Sequence, residues 1–300
     1  MFFQILMNGL LIGAIYTLIA LGFTLFFGIL DVVQFAQAEI FMIGAFAGLT
    51  VINMFIGSIN PFFLIILVIL GASIITSLIS FLFGRITVRP LRNAPSIMTL
   101  VATLTAGVAL RYLVMVLYPQ GSQTRKFPRI IPNWTLQFGE KTFSITPIII
   151  IISTIILVVV VKLFLDKTKI GMAMRAVAQD VETASIMGVN VNMVTDVTFI
   201  IAGTVAAIGG ILYGIHYGII QYDIGEFYGP ICFAAAVIGG LGNIYGSMIG
   251  GFLLGFLVTF SAAYIPGGTA FKFPIAFIIL LIFLVVKPSG ILGSKSGVKV

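Results

Sequence analysis

Long apolar runs separated by short polar segments are the dominant pattern of this 300-residue chain. Residues 4–28 and 40–84 contain no Asp, Glu, Lys or Arg. Because a helix needs roughly 20 apolar residues to cross a bilayer, the first run predicts one transmembrane helix and the second predicts two, with a turn between Asn53 and Pro61. Further spans are predicted at about 96–118, 147–165, 194–220, 246–264 and 271–287, with a shorter apolar segment at 230–243.

This pattern predicts an all-α polytopic membrane protein with eight or nine transmembrane helices, some of them short or interrupted. The segment 230–243 either crosses the membrane or re-enters it. We treat residues 1–300 as a single transmembrane domain, because 60% of the residues are hydrophobic and only 8% are charged, whereas soluble domains carry about 25% charged residues. The first apolar run is too long for a signal peptide, so we expect it to be retained as the first span.

The basic residues set the expected orientation, because Lys and Arg accumulate on the cytoplasmic side of a membrane protein. Each span takes the chain to the other side of the membrane. With nine spans, segments 85–95 and 166–192 and the C-terminus can all lie in the cytoplasm. Segment 119–146 then becomes an outer loop in spite of its four basic residues. The net charge of +7 therefore reflects residues that flank spans, and no nucleic-acid partner is expected.

The segment directly after the first span carries the first set of candidate functional residues: Asp31, Gln34, Gln37 and Glu39. These polar groups lie between two apolar runs with no room for a long loop. One interpretation is a broken helix that lines a substrate path, because irregular backbone at membrane depth occurs only where it is buried or lines a cavity. The other is a plain cytoplasmic turn followed by a helix that starts near Glu39.

The polar segment 166–192 carries the second set of candidates. Asp180 is suited to cap a short helix, Glu182 to its first turn and Gly188 to its C-terminal end. We expect this helix to lie across the cytoplasmic ends of the spans, at about 177–188.

One face of that helix carries a stripe of small and mildly apolar residues, because Val177, Val181, Ala184 and Gly188 follow helical spacing. The stripe either seats in a groove on a partner protein or belongs to an amphipathic connector that rests on the membrane surface.

A few charged residues are isolated within or beside the spans. Arg111 is expected to extend its side chain to the membrane surface from near the end of its span. Asp223 and Glu226 are expected in a solvated outer loop, or alternatively at a docking site for an external partner. Each half of the chain also has a Gly-rich helix followed by an interrupted one, a pattern that transporters often repeat.

Several kinds of chemistry are missing from the sequence. It has no phosphate-binding G-x-x-x-x-G-K-[ST] motif, no G-x-S-x-G elbow and no H-E-x-x-H motif. The single histidine, His216, and the single cysteine, Cys232, rule out a His-rich metal cluster and an intrachain disulfide. We therefore expect no cofactor, no metal and no enzymatic activity in this chain.

Five short motifs in order resemble the membrane-spanning permease of branched-chain amino acid ABC importers, of the LivH type. Gln34-Phe-Ala-Gln-Ala-Glu39 is similar to that family's N-F-A-H-G-E, although two amides and an alanine replace Asn, His and Gly. The second motif lies at residues 8–22. The third lies at 171–190 and follows the pattern G-x-x-x-R-A-x-x-x-D-x-x-x-A-x-x-x-G. The fourth, at 235–251, contains Gly-Gly-Leu-Gly, and the fifth, at 287–293, contains Pro-Ser-Gly-Ile-Leu-Gly.

The resemblance implies a multi-pass permease in the plasma membrane of a prokaryote, which in a Gram-negative cell is the inner membrane. Its implied partners are a second homologous permease, two ATP-binding subunits, an extracytoplasmic substrate-binding protein and membrane lipid. The resemblance places Gly171, Arg175, Ala176, Asp180, Ala184 and Gly188 in the segment that couples to the ATPase, and the apolar stripe adds Val181 to these coupling residues. The predicted substrate-path residues are Asp31, Gln34, Gln37 and Glu39.

A different class of function stays open from the sequence: an ion-coupled secondary transporter or a channel for a small polar solute. In that case Asp31 and Glu39 would be proton or cation sites. Such a carrier has no need of the helix in segment 166–192, and its uptake would follow an ion gradient rather than ATP.

Overall fold

Eleven α-helices account for most of the computed structural model, which describes residues 2–57, 59–92, 94–130, 135–138, 141–265 and 271–293. They are α1 (Phe2–Leu30), α2 (Gln37–Phe55), α3 (Pro61–Phe83), α4 (Ser96–Leu117), α5 (Thr146–Lys167), α6 (Lys169–Gln179), α7 (Val181–Ile186), α8 (Val191–Tyr217), α9 (Ile224–Gly239), α10 (Ile244–Tyr264) and α11 (Lys272–Val286). A π-helical turn, Gly84–Val88, continues α3. Strand β1 (Arg125–Lys126) pairs antiparallel with β4 (Ile219–Ile220), and β2 (Thr135–Phe138) pairs with β3 (Lys141–Ser144).

The fold class predicted from the hydrophobic pattern is confirmed. Within the described residues, 7 helices are long and apolar enough to cross a membrane, and α9 and α11 are shorter apolar helices. The predicted run 40–84 divides into α2 and α3 at Asn60, whose side chain accepts a hydrogen bond from the N–H of Phe62. Residues 294–300 and parts of the predicted outer loop 119–146 lie outside the described residues.

The helices differ sharply in how much of their surface the chain itself covers. Most of α1, α2 and α8 is buried, whereas α3, α4 and α5 turn large apolar side chains outward. Exposed apolar faces on a membrane-spanning helix suit lipid tails or other helices, since lipid is as apolar as leucine. The buried helices α1, α2 and α8 therefore form the centre of the bundle.

Glycines allow these central helices to touch along their backbones. A Cβ added to Gly255 of α10 would overlap the backbone of Gly13 in α1. A Cβ added to Gly210 of α8 would lie 2.5 Å from both the amide nitrogen of Ala45 and the carbonyl oxygen of Phe41 in α2. The abundance of glycine in the sequence thus has the close-packing role that small residues usually have in membranes.

The two ends of the bundle carry different structures. Helices α6 and α7 form a helical hairpin next to the end of α1 and the start of α8, and we call this the hairpin end. Strands β1 and β4 lie at the opposite end, which we call the loop end, because β4 follows directly after α8.

After α1 the chain turns back into the bundle instead of leaving it. Asp31 adopts a left-handed conformation (φ 53°), and residues 31–36 return beside α1. Helix α2 then begins inside the bundle, where the side chain of Gln37 packs on Gly22 and donates a hydrogen bond to the carbonyl of Ala202, near the middle of α8 (3.2 Å). We call α1, residues 31–36 and α2 the first interrupted pair.

The same course is repeated after α8. Gly218 adopts a left-handed conformation (φ 68°), and residues 218–223 lead back to α9. Helix α9 begins inside the bundle, with Gly225 against the side chain of Glu39, and runs to the hairpin end. We call α8, residues 218–223 and α9 the second interrupted pair.

The two interrupted pairs run in opposite directions. Helix α2 leads from the interior to the loop end, α9 leads from the interior to the hairpin end, and their N-termini meet between the two ends. The repeat predicted from the sequence is therefore present as an inverted one, the arrangement that many transporters use to build a central site from half-helices.

The segment after α11 closes over the turn between α9 and α10. The N–H of Ile291 donates to the carbonyl of Ile238 (2.8 Å), and the N–H of Leu292 donates to that of Gly239 (3.0 Å). Gly290 packs on Gly240, and both have positive φ. This contact ties the chain's last described residues to the end of the second half-helix.

Candidate functional site

Three of the four predicted substrate-path residues lie inside the bundle. Gln34 and Gln37 are fully buried and Glu39 is 6% exposed, whereas Asp31 is exposed at the hairpin end. The segment is thus a broken helix within the bundle, and the alternative of a turn outside the membrane does not fit Gln34, Gln37 and Glu39.

Polar atoms of this segment are left without partners among the described residues. Both side-chain amide atoms of Gln34, Oε1 of Gln37 and Oε2 of Glu39 are buried and make no hydrogen bond there. A buried polar group without a partner costs about 1–3 kcal/mol, and native structures contain few of them. Several such atoms in one short segment indicate a place built for contact with something other than the chain's own groups.

Glu39 lies where three helices meet. Its side chain packs against Gly107 in the middle of α4, where an added Cβ would lie 3.5 Å from Cγ of Glu39, and its Oε2 faces Gly225 in the first turn of α9. Glu39 itself is in the first turn of α2. Both half-helices therefore direct the positive ends of their dipoles toward this carboxyl group.

An ion pair that the sequence analysis missed lies beside Glu39. Arg111 of α4 donates from Nη1 to Oε2 of Glu226 in α9, and the side chain of Arg111 is 9% exposed while that of Glu226 is 60% exposed. The prediction that Arg111 reaches the membrane surface is therefore wrong. Arg111 follows Gly107 by four residues and so lies on the same face of α4, but the sequence does not show that this face meets Glu39.

Asp223 and Glu226 do not lie in a plain outer loop. Glu226 is in the first turn of α9, and Oδ1 of Asp223, directly before that helix, is buried without a hydrogen bond among the described residues. The sequence did not show that the chain returns into the bundle here, so these residues were assigned too far from the centre.

The hairpin is fixed to the end of α5 by the residues that open α6. Thr168 Oγ1 accepts a hydrogen bond from the N–H of Gly171 (2.9 Å). A Cβ on Gly171 would overlap the carbonyl oxygen of Leu165, and Arg175 donates from Nη1 to that same carbonyl. Gly171 and Arg175 thus set the angle between α5 and the hairpin.

The predicted helix at 177–188 is two helices instead. Asp180 is extended (φ −156°) and separates α6 from α7, and its Oδ1 accepts a hydrogen bond from the N–H of Thr183 (2.9 Å). The predicted capping by Asp180 is confirmed, and Gly188, at φ 86°, lies two residues beyond the end of α7. Because an N-cap residue has non-helical dihedrals, the residue that starts α7 must also end α6.

The predicted stripe is divided between buried and exposed positions. Val177 is 1% exposed and Ala184 is 5% exposed, although Val181 and Gly188 are on the surface. Ala176 is partly buried. The large apolar side chains that the hairpin exposes most are at the C-terminal end of α7, where Ile186 is 80% exposed and Met187 is 79% exposed.

A cavity of about 550 Å³ opens at the hairpin end, between the hairpin and the ends of α1, α3 and α8. Asp31, Arg89, Arg92 and Glu182 contribute its charged lining. Asp31 therefore belongs to this cavity and not to the site around Glu39. Among the described residues, no group of three or more His, Cys, Asp or Glu side chains is placed to hold a metal ion.

Comparison with known proteins agrees with this architecture. The family described as "Branched-chain amino acid transport system / permease component" matches residues 5–286. The chain is 34% identical over 308 residues to the high-affinity branched-chain amino acid transport system permease protein BraD of Pseudomonas aeruginosa, covering 100% of this chain and 98% of BraD. It is 34% identical over 305 residues to the corresponding permease protein LivH of Escherichia coli K12, again covering 100% and 98%. A probable branched-chain amino acid transport permease protein LivH of Methanocaldococcus jannaschii is 30% identical over 301 residues, covering 97% of this chain and 92% of the relative.

Proposed function

This chain belongs to the family of branched-chain amino acid transport permease components, and from that premise we propose that it is the permease subunit of a binding-protein-dependent ABC importer for branched-chain or related amino acids. The observation that carries the proposal is the set of buried, unpaired polar atoms on Gln34, Gln37 and Glu39 at the centre of an apolar bundle. ATP is hydrolysed by a partner chain, because this sequence has no phosphate-binding motif.

The substrate path passes the meeting point of the two half-helices. Gln34, Gln37 and Glu39 supply its polar groups, and Asp31 lies in the cavity through which the amino acid leaves at the hairpin end. Polar and ionisable groups at membrane depth usually mark such a path. Burying them there costs free energy, so they are rarely present without a functional role.

The α6–α7 hairpin is the contact with the ATP-binding subunits. Ile186 and Met187 at the C-terminal end of α7, and Val181 at its start, offer exposed apolar side chains of the kind that fills a groove on a partner. Gly171, Arg175 and Asp180 hold the hairpin in shape, while Ala176 and Ala184 pack it on the bundle. A rigid hairpin of this kind transmits movement of the ATPase to the spans, and the ATPase supplies energy through its different affinities for the two states.

The hairpin end faces the cytoplasm in this proposal. Arg89, Arg92 and Arg175 are among the basic residues found there, as expected for the inner side of a membrane. The described part of the C-terminal tail, up to residue 293, lies at the same end, and this supports a cytoplasmic C-terminus. A second homologous permease and two ATP-binding subunits complete the transporter in the plasma membrane, and an extracytoplasmic binding protein delivers the amino acid at the loop end.

Uptake measurements test the proposal directly. The chain is produced with its partner subunits, reconstituted in proteoliposomes with ATP inside and supplied with labelled leucine and the binding protein outside. We expect uptake that requires ATP hydrolysis and is unaffected by ionophores that collapse proton and sodium gradients. Uptake that persists without ATP and disappears with the ionophores would instead favour an ion-coupled carrier that uses Glu39 as an ion site.

The coupling role of the hairpin has its own test. Replacing both Ile186 and Met187 by Asp removes the apolar end of α7, and we expect the ATP-binding subunits to be lost when the permease is purified through an affinity tag. Met172→Asp changes another exposed methionine (64% exposed) on the same hairpin and is the matched control, expected to retain those subunits. Equal retention by both variants would contradict a contact at the end of α7.

The orientation is testable because the only cysteine, Cys232, is buried. A membrane-impermeant thiol reagent added to whole cells is expected to label Lys126→Cys at the loop end and to leave Met187→Cys unlabelled until the membrane is opened. Labelling of Met187→Cys in intact cells would invert the assignment and remove the hairpin from the cytoplasm.

A further inference from the structure

We propose that Glu39, Arg111 and Glu226 form the site that recognises the charged groups of a zwitterionic amino acid. Arg111 binds the α-carboxylate, and Glu39 and Glu226 bind the α-ammonium group. We call these three residues the charged cluster. The inference rests on the proposed function, but it concerns residues of α4 and α9 that neither the motifs nor the family comparison assign.

Two side chains of the charged cluster, those of Glu39 and Arg111, are buried and retain unused hydrogen-bonding capacity. Glu39 is 6% exposed with Oε2 unpaired, and Arg111 is 8% exposed with Nε unpaired among the described residues. A guanidinium group has five N–H donors in a planar fork, and a carboxylate is the partner that this fork matches in a bidentate manner. The pair with Glu226 employs Nη1 of Arg111, so donors remain for a second carboxylate.

The balance of charged groups favours a ligand that brings an ammonium group. Within the described part of this region, Glu39, Asp223 and Glu226 lie at the starts of the two half-helices, and the guanidinium of Arg111 pairs with Glu226. Burying the carboxyl group of Glu39 beside a cation that is already paired is unfavourable unless a further positive group joins them. An α-amino acid supplies that positive group and also a carboxylate to compensate Arg111.

The backbone holds the two glutamates in place while Arg111 can exchange partners. Glu39 is in the first turn of α2 and Glu226 is in the first turn of α9, where the helix dipole stabilises a carboxylate. Arg111 lies within α4, away from a helix N-terminus, and its guanidinium contacts two side chains, the carboxylate of Glu226 and the ring of Tyr112 (5.4 Å). The α-carboxylate of an incoming amino acid can thus replace Glu226 on Arg111, and Glu226 then pairs with the α-ammonium group.

The charged cluster also has an open side. Glu226 is 60% exposed although it lies within the length of the spans, and a carboxylate facing lipid tails is strongly disfavoured. This face of α9 therefore borders a polar space. Phe227 and Tyr112, which follow Glu226 and Arg111 in the chain, are 48% and 52% exposed and provide apolar surface for an aliphatic side chain.

Ligand binding to the assembled transporter tests the assignment. The permease with its partner subunits is placed in lipid nanodiscs without the binding protein, and dissociation constants are measured for leucine, for isopentylamine, which lacks the carboxylate, and for isocaproate, which lacks the amino group. We expect leucine to bind about tenfold or more tightly than either analogue, since each lost partner removes a charge-assisted hydrogen bond.

Variants connect each ligand group with a residue. Arg111→Gln is expected to weaken leucine and isocaproate about tenfold and to leave isopentylamine unchanged. Glu39→Gln and Glu226→Gln are expected to weaken leucine and isopentylamine and to leave isocaproate unchanged. Arg85→Gln removes the exposed pair with Asp196 at the hairpin end (3.0 Å) and serves as the control, expected to bind all three ligands like the wild type.

A purely structural role of the ion pair predicts a different result. Combining Arg111→Glu with Glu226→Arg restores an ion pair of reversed direction, and a structural pair would regain wild-type leucine binding in that double variant. Regained binding overturns the proposal, as does equal binding of leucine and both analogues by the wild type, a measurement that needs no variant to fold. A transporter that imports leucine with ATP but shows no saturable leucine binding of its own also overturns it. Absence of ATP-dependent uptake of any amino acid counts against the proposed function instead.

Discussion

The two interrupted pairs follow the same backbone course but carry different side chains along it. Both leave a long helix through a left-handed residue, return the chain into the bundle and start a half-helix there. In the first pair the return is filled with buried amides, Gln34 and Gln37. In the second, β4 pairs with β1 at the loop end and a charged, exposed residue, Glu226, follows. The comparison indicates that the first pair supplies the interior of the path and the second supplies its open side.

The largest effect is expected from breaking the contact that holds the first half-helix. Gly210→Val places methyl groups against the backbone of α2 at Ala45, and we expect a loss of about 3 kcal/mol or more in stability, because overpacking at backbone contacts has no room to relax. The measurement is the temperature at which the detergent-solubilised protein loses its monodisperse elution peak.

Two further variants complete that test. Ala263→Val adds similar bulk at an exposed position of α10 and is expected to elute like the wild type after heating. Gly250→Val overpacks a contact of the second pair in the same way, because a Cβ added to Gly250 of α10 would overlap the carbonyl of Ala235 in α9. A mild effect of Gly250→Val beside a severe effect of Gly210→Val would show that only the first pair is held rigidly.

An intermediate effect distinguishes the two buried amides of the first pair. Gln34→Met removes side-chain atoms that have no partner among the described residues, so we expect unchanged or increased thermal stability, by about 1 kcal/mol, together with loss of ATP-dependent uptake. Gln37→Met is the matched variant: it loses the hydrogen bond to Ala202, and we expect it to be less stable than Gln34→Met. If Gln34→Met transports normally, Gln34 has no place in the substrate path.

The smallest effect concerns the residue that ends the long helix in each pair. Asp31→Gly removes the cost of a left-handed non-glycine residue, and we expect a gain of about 0.5–1 kcal/mol. Gly218→Ala introduces that cost at φ 68° and is expected to lose about 1 kcal/mol. Thermal midpoints measured side by side give the comparison, and shifts in the same direction would mean that the two turns are not equivalent.

The sequence was sufficient for the helices and for local capping, because these depend on residues close together in the chain. Long apolar runs located the spans, and Asp180 and Gly188 marked the start and end of α7. The helical spacing of Val177, Val181 and Ala184 predicted one continuous face, but the extended Asp180 divides the helix and leaves Val181 exposed while Val177 and Ala184 are buried. It could not show what that face touches, since a buried face and a docking face have the same pattern, and the structure places Val177 and Ala184 against the chain itself.

The centre of the site could be predicted only in part. Gln34, Gln37 and Glu39 were found because polar residues stand out between apolar runs. The Arg111–Glu226 pair joins residues that are 115 positions apart in the chain. No local sequence pattern indicates that two helices so far apart in the chain are in contact. The same limit explains why Asp31 was grouped with Glu39: the two are close in sequence, but the return of residues 31–36 places them at different depths of the bundle.

The hydrogen bonds from Ile291 and Leu292 to the end of α9 bear on how the protein is made. A ribosome releases the chain from its N-terminus, so α9 enters the translocation machinery well before the residues that fasten it. The other half-helix, α2, packs on α8, which is synthesised more than a hundred residues later. Neither half-helix can therefore form all its packing contacts during early insertion, and the central site is completed only when synthesis is nearly finished. A released chain that ended before residue 290 would therefore contain α1 to α11 but lack the hydrogen bonds that fasten the end of the second half-helix.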